Sequence, residues 1–152
     1  MSIDRSTPAL GSLYKEVILE HYRKPRNKSE LESPDVEIHM QNPVCGDEIK
    51  LQLKVADGTI EDVRFVGQGC SISQASASMM TDRLKGRSLD DANALMGRFT
   101  EMMHGDAEAA RDKDLGDMRA LAGVAKFPVR VKCAMLVWDA LQEAEKKLAA
   151  GG

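Results

Sequence analysis

Three cysteines are all that the 152-residue chain carries, and no two of them form a C-x-x-C pair. So small and odd a number argues against a disulfide framework and for metal or thiol chemistry. No apolar run reaches the length of a membrane span. The first eight residues hold Asp4 and Arg5 and no apolar stretch, so no secretory signal is read and a cytoplasmic location is expected. A large charge excess is missing too. With 21 Lys and Arg against 24 Asp and Glu, the net charge of -3 gives no sign of a nucleic-acid surface. No internal repeat is visible. What remains is ordinary for a globular chain, 43% hydrophobic and 30% charged, and long enough for one domain with a real core. The reading is a single domain over residues 1–152, with flexible ends at 1–11 and 149–152.

The pattern of apolar residues predicts an α+β fold, a small three-stranded antiparallel sheet against about five or six helices. Ser12 to Tyr22 reads as a helix capped by Ser12 and stopped by Pro25. The basic turn Arg23-Lys24-Pro25-Arg26-Asn27 follows, read as a solvated helix end or a docking surface. Val36, Ile38 and Met40 alternate with polar residues, as do Ile49, Leu51, Leu53 and Val55. Ile60, Val63, Phe65 and Val66 make a third run, and Asp57-Gly58 marks a hairpin before it. Helices are expected over Ser71–Leu84, with Ile72, Ala75, Met79 and Met80 inward, and from Ser88, a capping residue, to about His104. Residues 105–114 read as an exposed loop or loose helix. Leu115, Met118, Leu121 and Val124 suggest a short helix. A last helix runs from Pro128 to Leu148, with Val131, Met135, Trp138, Leu141 and Leu148 as its inner stripe.

Each cysteine has a chemically loaded setting. Cys45 lies in Asn42-Pro43-Val44-Cys45-Gly46-Asp47, Cys70 follows Gly67-Gln68-Gly69, and Cys133 follows Arg130-Val131-Lys132. Gly46 lets Cys45 and Asp47 turn toward one point in the loop between the first two strands. Cys70 and Cys133 lie near helix starts, where the dipole favours thiolates. Cys45, Asp47, Cys70 and Cys133 thus form a four-ligand set suited to zinc. Arg130, three residues before Cys133 on the same helical face, is placed beside that set to offset its negative charge. Lys132 points elsewhere. A closed zinc site that only holds the fold is the plainer alternative. An Asp ligand argues for a site that can open, because carboxylates suit a thiolate-loving metal less well. His21, His39 and His104 all read as surface residues.

The Asn-Pro-Val-Cys-Gly-Asp run, the run from Gly67 to Ser78 (Gly-x-Gly-Cys-Ser-Ile-Ser-x-Ala-Ser-x-Ser) and the late helical Cys133 resemble the U-type iron–sulfur assembly proteins, from Leu13 to about Leu148. Lys132 stands where the scaffold branch of that family carries His, and the stretch between Cys70 and Cys133 is longer. Both features resemble the SufU branch. The resemblance implies an α+β fold and one zinc held by Cys45, Asp47, Cys70 and Cys133. It implies an accessory sulfurtransferase rather than a stand-alone enzyme, with Cys45 accepting persulfide sulfur from a pyridoxal-phosphate-dependent desulfurase of the SufS type. Release of Cys45 by ligand exchange with a desulfurase His, and hand-over to downstream iron–sulfur assembly proteins, are implied likewise. The alternative it leaves is a scaffold on which an iron–sulfur cluster forms transiently.

Overall fold

The computed structural model describes residues 14–151. Three strands, β1 (Val36–Asn42), β2 (Asp47–Ala56) and β3 (Thr59–Gln68), form one antiparallel sheet in the order β1-β2-β3. The register follows the hydrophobic alternation: Leu51 pairs with Ile38 on one side and Phe65 on the other. Asp57 and Gly58 both have positive φ, 52° and 75°, as a two-residue hairpin turn matched to strand twist requires. Ile49, Leu51, Leu53, Val63 and Phe65 are buried on one face. Gln52, expected to point to solvent, is buried as well. Its amide accepts from Leu31 N at 2.7 Å and donates to Glu37 Oε1 at 2.7 Å, because the chain before β1 returns over that face.

Helix α1 is described over residues 14–23, and its expected cap, Ser12, lies outside the described residues. Helix α2 (Ser71–Leu84) packs against β3 and runs through the middle of the protein. An inner stripe was expected there, yet nearly the whole helix is buried and Ile72 only half so. Small residues make this possible: Ser73, Ala75, Ser76, Ala77 and Ser78 let neighbours close in from several sides. Their hydroxyls stay satisfied, as where Ser76 Oγ donates to Ala134 O at 2.7 Å. Helix α3 (Leu89–Met103) is capped by Ser88 Oγ, which accepts from Asp91 N at 3.0 Å.

Residues 105–114 are more ordered than a loop. Asp106 Oδ1 accepts from Glu108 N and Ala109 N and starts a 3₁₀ turn, Ala109–Arg111, that buries Ala109. The expected short helix is a 3₁₀ segment, Lys113–Lys126, kinked at Gly116 (φ 55°, ψ -131°). Leu115, Met118, Leu121 and Val124 are buried in it as expected. Helix α4 (Pro128–Gly151) covers β1 and β2 and continues past Leu148. Its buried residues are Cys133, Ala134, Leu136, Val137, Trp138, Ala140, Leu141 and Ala144, whereas Val131, Met135 and Leu148 are half-buried. Trp138 stacks on Phe99 with ring centroids 5.3 Å apart. No described helix is long and apolar enough to cross a membrane.

His21 is not a surface residue. It is 2% exposed, with Nδ1 2.8 Å from Ser78 Oγ and Nε2 2.9 Å from Asp117 Oδ2. The Arg26 guanidinium closes on the same ring at 2.8 Å. The basic turn keeps Arg23, Lys24 and Arg26 exposed, as a solvated helix end would, but its backbone is fastened. Arg26 N donates to Ser78 Oγ, and Asn27 O accepts from Phe65 N at 3.0 Å. Replacing His21 removes a buried ring and one partner of the buried Ser78 hydroxyl, while exposed Asp117 and Arg26 turn to water, so His21→Ala is predicted to cost about 1–3 kcal/mol of stability. Urea unfolding checks this, and an unchanged midpoint would refute the structural role.

Candidate metal centre

The β1–β2 loop hangs on Asn42. Its carbonyl accepts from Cys45 N at 3.2 Å and Gly46 N at 2.8 Å, and its side-chain Oδ1 accepts from Val44 N at 3.3 Å. Gly46 has φ 71°, which a side chain resists, so glycine closes the turn. The loop thereby presents Cys45 half-buried, next to a 68% exposed Val44. Asp47 is not in the loop, as read from sequence. It is the first residue of β2, paired with Asn42 and 1% exposed.

Two glycines let the chain from β3 to α2 press against the start of β2, and the second lies against that carboxylate. A Cβ at Gly67 would lie 2.2 Å from Glu48 O, and one at Gly69 would lie 2.3 Å from Asp47 Oδ1. Cys70, at the N-cap of α2, donates its N–H to Asp47 Oδ1 at 2.8 Å. Its side chain makes no capping bond, and its Sγ lies 3.9 Å from Asp47 Oδ2. Cys133 reaches the site from α4, fully buried, with Sγ 2.9 Å from Cys45 Sγ.

The donor atoms of Cys45, Asp47 and Cys133 all lie within 4.8 Å of one another. Cys70 stands outside that triple but adjoins it through Asp47. Burial first, then hydrogen bonds to Cys45, Asp47 and Cys70, push the Cys133 thiol well above its ordinary value. This corrects the expectation of a thiolate favoured by the helix start: Cys133 is the sixth residue of α4, and dipole effects fade within the first turn. A cation among these groups would supply the positive charge that burial otherwise denies them. Arg130 is exposed and faces the sulfurs. The charge of Cys70, then a hydrogen bond to Cys133, raise its pKa further. Lys132 is exposed, and so are His39 and His104.

Two or three thiols with one carboxylate, largely withdrawn from water, make a donor set that fits a borderline-soft cation. Sequence reading missed Asn42 and the two glycines as parts of this site. The Asn-Pro and Gly-x-Gly signals were present, but the contacts they make were not visible.

The NifU-like N terminal domain model matches residues 13–147. The chain belongs to that family. Within it, the chain is 47% identical over 138 residues to the zinc-dependent sulfurtransferase SufU of Bacillus subtilis, covering 91% of this chain and 92% of that protein. It is 45% identical over 140 residues to the iron–sulfur cluster assembly scaffold protein IscU of Streptococcus pyogenes, covering 92% and 87%. Among solved structures, the crystal structure of a hypothetical protein superposes with a TM-score of 0.82 at 45% identity, covering 89% of this chain and 98% of that one. The α+β fold of this NifU-like domain, with its three-stranded antiparallel sheet, is the one expected from the sequence.

Proposed function

We propose that this NifU-like domain serves iron–sulfur cluster assembly as a zinc-dependent sulfur acceptor. Cys45, Asp47, Cys70 and Cys133 hold one zinc, and Cys45 receives sulfur from a pyridoxal-phosphate-dependent cysteine desulfurase. The observation that carries the reading is the contrast among the sulfurs around Asp47. Cys133 is wholly buried and Cys70 is tied to α2, whereas Cys45 rides a loop beside exposed Val44. Zinc, when bound, offsets the ligand charge and lets the thiols stand as thiolates near neutral pH. The chain's own step is then simple. The Cys45 thiolate attacks the terminal sulfur of the enzyme's persulfide, a new S–S bond forms on Cys45, and the old one breaks. The electron pair leaves with the desulfurase cysteine, which takes up a proton.

The second reading is a scaffold that carries a cluster, and the 45% identical relative named IscU favours it. Exposed Lys132, where the scaffold branch has His, weighs against it. Metal content of protein purified without oxygen separates the two. About one zinc per chain and no iron, as a single four-ligand site holds, is the expected result. Iron with matching sulfide would overturn the zinc reading.

A further inference from the structure

A groove of about 560 Å³ opens beside the candidate metal centre, between α1, the start of α2 and the end of the 3₁₀ segment. Its walls are mainly apolar, with Ile18, Leu19, Ile72, Val124 and Phe127 among them. Phe127 is 60% exposed at the end of the 3₁₀ segment. The size falls in the range of about 300–1,000 Å³ typical of binding clefts. Among the described residues only two charged ones line it, Lys15 and Arg130, and both are cations. No salt bridge among the described residues involves either one. A locally cationic, apolar groove in a chain of net charge -3 is a contrast of sign that selects its occupant. Cys70 also lines the groove, so whatever sits there lies against the cysteine cluster.

From this we propose that the groove receives an apolar, carboxylate-bearing stretch of the sulfur-donating protein. The inference rests on the sulfur-acceptor reading above and adds the surface on which the donor docks. Apolar side chains fill the walls, and an acidic side chain meets Lys15, since Arg130 already faces the cysteine sulfurs. A basic stretch would be repelled by the same two residues.

The test uses the full chain, zinc-loaded, with the purified desulfurase of the same source. A zero-length carbodiimide joins an amine to a carboxylate only where the two touch, so Lys15 is expected to couple to an acidic residue in an apolar stretch of the desulfurase. Lys15→Glu is expected to raise the half-saturating concentration for sulfur transfer about tenfold at an unchanged maximal rate, as charge reversal at a steering site does. Lys15→Arg is expected to keep wild-type saturation while losing the cross-link. The proposal is overturned if Lys15 stays unlinked in a complex that transfers sulfur, or if Lys15→Glu saturates normally. It is equally overturned if Lys15 couples to a second copy of this chain or to an acidic residue of its own chain. A pair of proteins that bind through Lys15 and transfer no sulfur would instead sink the sulfur-acceptor reading and leave the groove as a docking site.

Discussion

Cys45→Ser is expected to lower persulfide uptake from the desulfurase by about a thousandfold or more while leaving the fold in place. The size of the loss follows from the chemistry. A serine hydroxyl is ionised far less than a thiol near neutral pH and does not form the S–S bond that stores the sulfur. Survival of the fold follows from position. Cys45 is half-buried at a loop whose backbone bonds run through Asn42, and none of them uses the sulfur. Cys133→Ser makes the contrast. Its thiol is fully buried among Cys45, Asp47 and Cys70, so that variant should lose stability and metal together. Mass spectrometry of the acceptor after one desulfurase turnover reads the first effect as the gain of one sulfur atom, and thermal unfolding reads the second. A Cys45→Ser protein that still carries the added sulfur would move the acceptor role to Cys70.

How much of this could be read in advance depended on the range of the interactions. The sheet was legible because alternation and the Asp57-Gly58 turn are local, and they fix the register that pairs Leu51 with Phe65. The cap at Ser88 was legible for the same reason. His21 was not. Its partners Ser78 and Asp117 are 57 and 96 residues away, and nothing in its own helix marks it as inward. The 3₁₀ segment kept its expected buried residues but not its expected geometry, since the bend at Gly116 seats the backbone against the Arg83 guanidinium. At the candidate metal centre, the motifs had marked Cys45, Asp47 and Cys133, which the structure brings together, and Cys70, which adjoins them through Asp47. Their placement was not legible: Cys133 is the buried thiol, Cys45 and Cys70 are half-exposed on a loop and at a helix start, and Asp47 begins a strand. Burial is set by how α4 lies over β1 and β2, a tertiary fact without a local signal.

Gly69→Ala is the second substitution with a large expected effect, and it tests whether Asp47 holds the metal. A Cβ at Gly69 would lie 2.3 Å from Asp47 Oδ1 and 2.9 Å from Asp47 Cα, at a φ of 154° that side chains rarely adopt. The alanine methyl and the carboxylate cannot both stay. Because Asp47 is nearly fully buried at a strand start, it has little room to yield. Its hydrogen bond from Cys70 N, which orients both the carboxylate and the start of α2, should break. Loss of such an orienting contact typically lowers metal affinity about 10- to 100-fold, and the clash adds roughly 2–4 kcal/mol of destabilisation. Gly46→Ala is the control. It also has positive φ, 71°, but its Cβ would meet nothing within 4 Å, so it bears only the backbone penalty of about 1–2 kcal/mol and leaves Asp47 in place. Zinc competition against a coloured chelator, run on both variants beside urea unfolding, separates the two effects. If Gly69→Ala binds zinc as tightly as the parent chain, Asp47 is not a ligand and the centre is made of the cysteines alone. If it loses zinc while Gly46→Ala keeps it, the carboxylate position is what the bare backbone at Gly69 protects.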